Sequence, residues 1–310
     1  MSLKVALQMD DIASINTDSD TTFVLGLEAQ NRGHQLYYYQ PDKLSLINGE
    51  VIAKAHKITL QASRDNYFQL EEAELTELKT MDVVLMRQDP PYDMNYLTYT
   101  YMLDKIHPKT LVVNNPTEVR NCPEKLFVTD FLEFMPPTLI SGDVEAIKDF
   151  AAEHGTIILK PLYAHGGLDV FKVDKNVHKV TKNLLNKYQT PIIAQGFIEG
   201  VKKGDKRIIL IDGDFVGAVN RVPEENSILS NFVQGGTGEQ THLTPREIQI
   251  CDALKPALKS RGLILTGIDV IDGYLTEINV TSPTGIQSIN KLNNVKLEAM
   301  FWDAIDCILA

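Results

Sequence analysis

The 310-residue sequence predicts a mixed architecture: an α/β unit with a parallel sheet over about the first 120 residues, then an α+β half whose strands are mainly antiparallel. Three observations lead there. Short apolar strands alternate with helical stretches as far as Asn114, and beyond Pro123 the text turns to short strands broken by Gly- and Lys-rich loops. The third is composition: 44% hydrophobic and 23% charged residues over this length suit a globular chain of two or three domains.

Leu3 to Met9 reads as an apolar strand, Thr21 to Arg32 as an amphipathic helix closed by Gly33, and Gln35 to Tyr39 as a second strand, which is a βαβ opening. Asn48-Gly49, between Leu44–Ile47 and Val51–Ala55, is a hairpin signal. Asp82 to Met86 and Thr110 to Asn114 add two strands around a helical stretch near Asn95 to Ile106, an alternation that favours a parallel sheet. After the first strand comes Met9-Asp10-Asp11-Ile12-Ala13-Ser14, with no Gly-x-Gly-x-x-Gly, which disfavours a dinucleotide-binding oxidoreductase. In the second half, strands are expected at Thr156 to Lys160, Val170 to Val173, Ile192 to Gln195, Arg207 to Ile211 and Phe215 to Arg221. A long helix, Pro245 to Arg261, leads to strands Leu263 to Ile271 and Tyr274 to Val280 and a final helix.

The 30 Lys and Arg residues face 41 Asp and Glu, a formal net charge of −11, so a nucleic-acid partner is disfavoured unless cations are gathered locally. No apolar run approaches the roughly 20 residues that span a bilayer, and the start lacks a signal peptide's apolar core, so a cytoplasmic protein without a membrane partner is expected. Cys122, Cys251 and Cys307 are few and far apart, which fits free packing thiols better than disulfides or zinc.

Three groups of residues carry chemistry. Ile158-Leu159-Lys160-Pro161 followed by His165-Gly166-Gly167 puts an ammonium at a strand end beside a loop whose backbone N–H groups can approach phosphate closely; each part alone is also common in plain strand ends and turns. Glu277 and Asn279, two apart in a strand, share a face and offer hard oxygen ligands to Mg²⁺ on nucleotide phosphates. Asp269 joins them only if the hairpin turn is odd. A three-residue loop, Ile271 to Gly273, is expected, pairing Asp269 with Leu275, whereas a two-residue Asp272-Gly273 turn would put Asp269 opposite Thr276 on the other face. The third group is basic: Lys202, Lys203, Lys206, Arg207 and Arg221. Arg207 and Arg221 lie in strands joined at Asp212-Gly213, from which both can steady a phosphoryl or tetrahedral acyl centre. Asn231 and Gln234-Gly235-Gly236-Thr237-Gly238 would add a loop able to close over a substrate.

These motifs occur in the order seen in ATP-grasp ligases: Lys125-Leu126-Phe127, Lys160-Pro161, His165-Gly166-Gly167, Gly204-Asp205-Lys206-Arg207, Arg221-Val222-Pro223, Gly235-Gly236-x-Gly238 and Glu277-Ile278-Asn279-Val280-Thr281-Ser282-Pro283-Thr284. With Met9-Asp10-x-Ile12, Leu27-Glu28-Ala29-Gln30-x-Arg32-Gly33 and Met86-Arg87-x-Asp89-Pro90-Pro91, nearly the whole chain resembles the bacterial glutathione synthetases. The resemblance implies an N-terminal substrate domain over 1–122, an ATP-grasp lid domain over 123–200 and an ATP-grasp catalytic domain over 201–310. It implies that Lys125, Lys160, Gly166 and Gly167 meet ATP phosphates, that Gln195, Phe197 and Ile198 belong to the hinge facing adenine, and that Asp205 lies near the ribose. Asp269, Glu277 and Asn279 would bind Mg²⁺ or Mn²⁺. Arg207 and Arg221 would act on the acyl-phosphate, with Arg87, Asn231, Gly235, Gly236 and Ser282 at the substrate. The implied reaction joins the cysteinyl carboxylate of γ-glutamylcysteine to glycine with ATP as co-substrate, in a homo-oligomer, by likeness a tetramer.

The chain departs from the family pattern in places. Tyr163-Ala164-His165-Gly166-Gly167 stands where Asp-Gly-x-Gly-Gly is usual, Gln88 and Gln287 replace a lysine and an arginine, and Ser227 to Asn231 lacks an arginine. An ATP-grasp ligase for another acid and amine therefore stays open, as does an ATP-binding regulator without catalysis. Retention of Lys160, Glu277, Asn279 and both arginines argues against the regulator.

Overall fold

The computed structural model describes residues 2–224 and 235–310, and within them the strands form three sheets. The first is built from β1 (Lys4–Gln8), β2 (Gln35–Tyr39), β3 (Leu44–Ile47), β4 (Glu50–Leu60), β5 (Phe68–Leu70), β6 (Glu74–Glu77), β7 (Val83–Met86) and β8 (Leu111–Val113). Its order is β3-β4-β2-β1-β7-β8, with β5 and β6 also on β4. The pairs β1 with β2, β1 with β7 and β7 with β8 are parallel, and the nearly continuous burial of β1, β7 and β8 follows from helices lying on both faces. Those helices are α1 (Thr21–Asn31), α2 (Met94–Leu103) and α3 (Pro116–Asn121). Asp20 starts α1 by accepting from the Phe23 N–H at 2.6 Å. The expected hairpin is present, with Asn48 and Gly49 both at positive φ and Ile47 opposite Glu50.

The second sheet is antiparallel, in the order β11-β10-β12-β9: β9 (Thr138–Ser141), β10 (Ile157–Pro161), β11 (Phe171–Val173) and β12 (Ile192–Gly196). Helices α4 (Val144–His154) and α5 (Val177–Tyr188) cover it. Ile147, Ala151, Ile157, Leu159, Leu184 and Ala194 are among the residues of its own apolar core, which lies wholly within 147–194.

The third sheet has the order β15-β14-β13-β16-β17, from β13 (Asp205–Ile211), β14 (Asp214–Val222), β15 (Thr237–Gln240), β16 (Leu265–Ile271) and β17 (Tyr274–Asn279). Helix α6 (Pro245–Arg261) starts at a Thr244/Glu247 capping box and ends at Gly262 in the left-handed region. Helices α7 (Ile286–Asn293) and α8 (Leu297–Leu309) close the chain. Unlike the second sheet, this one shares its cores with the first. One core joins Ala6, Val84 and Phe127 to Ile208, Leu254 and Ile278, and another joins Leu7, Leu25 and Val113 to Ile209, Leu265 and Trp302. The first and third sheets therefore make one packed body, against which the second sits with a separate core.

The hairpin β16–β17 corrects the expectation for its turn. Ile271 pairs with Tyr274, so the turn is the two-residue Asp272-Gly273, both at positive φ. The odd residue lies instead in the strand: the register shifts after Val270–Leu275, so that Asp269 faces Glu277 rather than Leu275, and Thr276 is the extra residue of a bulge. Its hydroxyl donates to the Asp269 carbonyl at 3.0 Å. Asp269 and Glu277 thus share a face by a bulge, not by turn length.

Candidate active site

Between the second sheet and the packed body lies a cavity of about 450 Å³. Strand alternation brings its polar lining together. Arg207 on β13 faces Asp269 on β16, Asp269 faces Glu277 on β17, Asp205 faces Arg221 on β14, and Asn279 follows Glu277 by two positions. From the second sheet come Lys160, Gln195, Phe197 and Ile198, with Gly166 and Gly167 in the β10–β11 connection. Lys125, just before the second sheet, and Ser282, just after β17, complete the set.

Other expected residues lie elsewhere. Arg87 does not line the cavity; it is buried beneath it, where Nε donates to Thr22 Oγ1 at 3.2 Å and Nη2 to the Pro283 carbonyl at 2.9 Å. Gly235 and Gly236 precede β15 and are not part of the lining, and Asn231 lies outside the described residues. Lys206, read with the basic group, alternates to the opposite face of the sheet, where Nζ meets Glu247 at 2.7 Å and the His242 carbonyl at 2.9 Å. Lys202 is exposed and within 3.5 Å of Glu199.

Four cations, Lys125, Lys160, Arg207 and Arg221, meet in the cavity with five carboxylates, Asp89, Glu124, Asp205, Asp269 and Glu277. Lys160 Nζ lies 3.3 Å and Lys125 Nζ 3.6 Å from Glu277 Oε1, and Lys125 also pairs with Glu124. Arg207 grips Asp269 with two bonds, Nε to Oδ1 at 2.6 Å and Nη2 to Oδ2 at 3.0 Å. Arg221 Nη2 bridges Asp205 at 2.5 Å and Asp269 at 2.9 Å. Arg221 Nε is buried without a hydrogen-bond partner among the described residues, as is Arg87 Nη1. Arg221 lines the cavity, and a partnerless donor there suits an anionic ligand.

The carboxylates respond to these neighbours in opposite directions. Burial would raise Asp269, but the guanidinium groups of Arg207 and Arg221 outweigh it and hold the group well below the usual range. Burial likewise acts against Glu277, and Lys125 and Lys160 more than offset it. For Asp205 burial wins over Arg221, and its pKa is pushed up to about 6. Glu124 is also raised by burial, in spite of Lys125. Lys125 itself is raised, because Glu277 and Glu124 overcome its desolvation.

Around Gln195 to Ile198, the segment expected to face adenine, backbone donors are already assigned. The Gly196 N–H goes to Pro137 O at 2.9 Å and the Phe197 N–H to Thr156 O at 3.1 Å, while the Ile198 N–H has no such partner among the described residues. The Gln195 side chain is engaged, donating to Thr138 Oγ1 at 3.0 Å, so it serves the sheet. Gln88 and Gln287 are scaffold residues: Gln88 accepts from Gln8 Nε2 at 2.5 Å, and Gln287 donates to the carbonyls of Thr17 and Asp20 at 3.0 and 2.6 Å. Sequence reading missed Glu124 and the tie from Ser282 Oγ to Asp89 at 3.3 Å; the Glu124-Lys125 adjacency was the available signal for the first.

No group of three His, Cys, Asp or Glu side chains placed to hold a metal occurs among the described residues. Asp269, Glu277 and Asn279 offer two carboxylates and an amide on one face, with Asn279 Nδ2 3.4 Å from Asp269 Oδ2. That set fits Mg²⁺, which takes one or two carboxylates and draws its remaining ligands from phosphate and water.

Residues 3–120 match the family described as prokaryotic glutathione synthetase, N-terminal domain, and residues 124–294 match its ATP-grasp domain. The chain is 52% identical over 309 residues to the glutathione synthetase of Rhodopseudomonas palustris, covering 99% of each chain, and 52% identical to that of Brucella melitensis with the same coverage. In fold it is similar to the D-cycloserine synthetase DcsG, with a TM-score of 0.69 at 15% identity over 99% of this chain and 100% of the other. It is also similar to the ATP-grasp ligase PsnB complexed with minimal precursor, with a TM-score of 0.64 at 18% identity over 99% of each chain.

Proposed function

The chain belongs to the prokaryotic glutathione synthetase family, and from that premise we propose how its cavity works as an ATP-dependent carboxylate–amine ligase. It joins γ-glutamylcysteine to glycine, giving glutathione, ADP and phosphate. The observation that carries the reading is the pairing of four cations, Lys125, Lys160, Arg207 and Arg221, with carboxylates on the cavity face. A site so paired can admit a polyanion with its metal by exchanging partners.

Adenine lies against the hinge, where the Ile198 N–H is the donor left over, with Gln195, Phe197 and Asp205 around the nucleoside. Lys125 and Lys160 turn from Glu277 to the phosphates, and Gly166 and Gly167 let the loop backbone approach them. Glu277, Asn279 and Asp269 would hold Mg²⁺, which would neutralise charge on the phosphates.

A carboxylate is a poor electrophile, so an oxygen of the cysteinyl carboxylate first attacks the γ-phosphorus and ADP leaves. The amine nitrogen then attacks the acyl carbon, and the tetrahedral adduct collapses as phosphate departs with one original carboxylate oxygen. Arg207 and Arg221 face the charge that develops in both steps. Ser282, which lines the cavity, attends the peptide substrate. Arg87 steadies the 281–284 loop through Pro283 rather than touching the reacting atoms.

We place the domain boundaries at 1–122, 123–200 and 201–310, with the separate core of the second sheet in support. A cytoplasmic setting suits substrates that include ATP and a thiol, and no helix among the described residues is long and apolar enough to cross a membrane. We assign a homo-oligomer, a tetramer by likeness, for which Leu46, Ile47 and Leu75 offer exposed apolar contact.

A matrix of acids and amines, scored by ADP release with Mg²⁺ and ATP, tests the reading. ADP formation that requires both γ-glutamylcysteine and glycine is expected; turnover with other pairs only, or ATP binding without turnover, would overturn it.

A further inference from the structure

We propose that Tyr163 and Tyr92 form a stacking latch that fixes the Gly166-Gly167 loop over the phosphate end of the cavity. The latch itself rests on geometry; its purpose rests on the ligase reading. The two rings lie 6.0 Å apart and within 15° of parallel. Tyr92 belongs to the packed body: its hydroxyl reaches the carbonyls of Val119 and Arg120 at 3.1 and 2.9 Å, and its ring packs on Tyr96 at 5.4 Å. Tyr163 belongs to the β10–β11 connection, two residues past the end of β10. Beside the rings, Pro90, Pro123, Leu162 and His165 line a slot of about 20 Å³, too small for a ligand.

On its own sheet the loop is anchored through Asp169, whose Oδ2 accepts from Lys187 Nζ and from the Tyr188 hydroxyl, both at 2.5 Å. The second sheet has its own apolar core, and Lys125 Nζ on the Ala164 carbonyl at 2.8 Å is a further tie of the loop to the packed body. Phosphate binding draws Lys125 toward the nucleotide and loosens that tie, whereas the aromatic pair is not touched by it. The Tyr163 hydroxyl makes no hydrogen bond among the described residues, so the ring does the holding. At position 163 the tyrosine supplies an aromatic surface to this loop.

Tyr163 and Tyr92 touch no reacting atom, so they are positioning residues. Their consequence is for water. A loop held in register shields an acyl-phosphate until the amine arrives, whereas a loose loop lets it hydrolyse, so that ADP appears without a peptide bond.

Two readouts test the latch. The first needs no substrate: amide hydrogen exchange across 163–170 in the free enzyme. Tyr163→Ala and Tyr92→Ala should each speed it by about 3- to 10-fold, the range an aromatic pair supports, and the double variant should add little to either. Tyr163→Phe should match the parent. Tyr163 is a partly exposed loop residue, so its variants keep the readout available if Tyr92→Ala fails to fold. The second readout is the ratio of ADP to glutathione at saturating substrates: near one for the parent and Tyr163→Phe, and at least doubled for Tyr163→Ala and Tyr163→Asp. Unchanged exchange in Tyr163→Ala, or Tyr163→Phe behaving like Tyr163→Ala, would overturn the latch. Faster exchange with an unchanged ratio would overturn its sealing role. A parent enzyme that makes no glutathione would instead overturn the ligase reading, and exchange would still decide the latch.

Discussion

Asp205 and Asp269 share the Arg221 guanidinium yet titrate in opposite directions. Asp269 has two arginines against its burial, whereas Asp205 relies mainly on one, and desolvation decides the outcome for it. Because the folded pKa of Asp205, about 6, exceeds its unfolded value near 3.8, folding takes up a proton between them. This group's contribution to stability is therefore complete below about pH 4 and is lost as the pH rises through 6. The same titration should be visible in turnover. Asp205→Asn imitates the protonated side chain, so parent and variant should have nearly equal activity at about pH 5. Their ratio should climb several-fold above pH 7 with a midpoint near 6; a flat ratio would mean that Asp205 ionisation is not used. At this scale the sequence identified most of the charged groups that line the cavity, partly because alternation predicts which strand residues share a face. It misled on Lys206, which neighbours Arg207 and so points the other way.

Among the elements, the β16–β17 hairpin is the most informative. Asp272-Gly273 signalled a turn, but the shared face of Asp269 and Glu277 depends on the bulge at Thr276, and nothing in Leu275-Thr276-Glu277 marks an extra residue. A bulge is a property of pairing, and single-strand text does not carry it. Across this hairpin Gly267 sits opposite Asn279 on the cavity side. A Cβ there would lie 2.9 Å from Pro283 Cβ and 3.3 Å from Arg207 Cδ. Gly267→Ala should cost about 1–3 kcal/mol in urea unfolding, the usual range for overpacking, and should lower turnover by displacing Arg207 or the 281–284 loop. Unchanged stability and turnover would show that this close approach is not needed. Helices α4 and α5 were less legible than α6. Each buries only two residues, Ile147 and Ala151 or Thr181 and Leu184, and α5 starts without a side-chain cap, whereas α6 is announced by Thr244, Pro245, Glu247 and Gly262.

For the whole molecule, the parallel and antiparallel halves were legible from strand–helix alternation and its loss after Pro123. The joining of the first and third sheets through common cores was not, since contacts such as that of Trp302 Nε1 with the Leu25 carbonyl span most of the chain. The molecule is thus built as two bodies, with its chemistry in the seam between them. Leu184→Ala, in the separate core, should cost about 2–5 kcal/mol locally. Hydrogen exchange should rise across 138–196 and ATP binding should weaken, while the first sheet stays protected; an equal rise in both bodies would contradict their independence. The central claim is that this seam activates a carboxylate as an acyl-phosphate for attack by an amine. Ligation with γ-glutamylcysteine carrying ¹⁸O in its cysteinyl carboxylate tests it most directly, with the isotope followed into inorganic phosphate. One labelled oxygen in phosphate for each glutathione formed is the predicted result; phosphate without label would contradict the account.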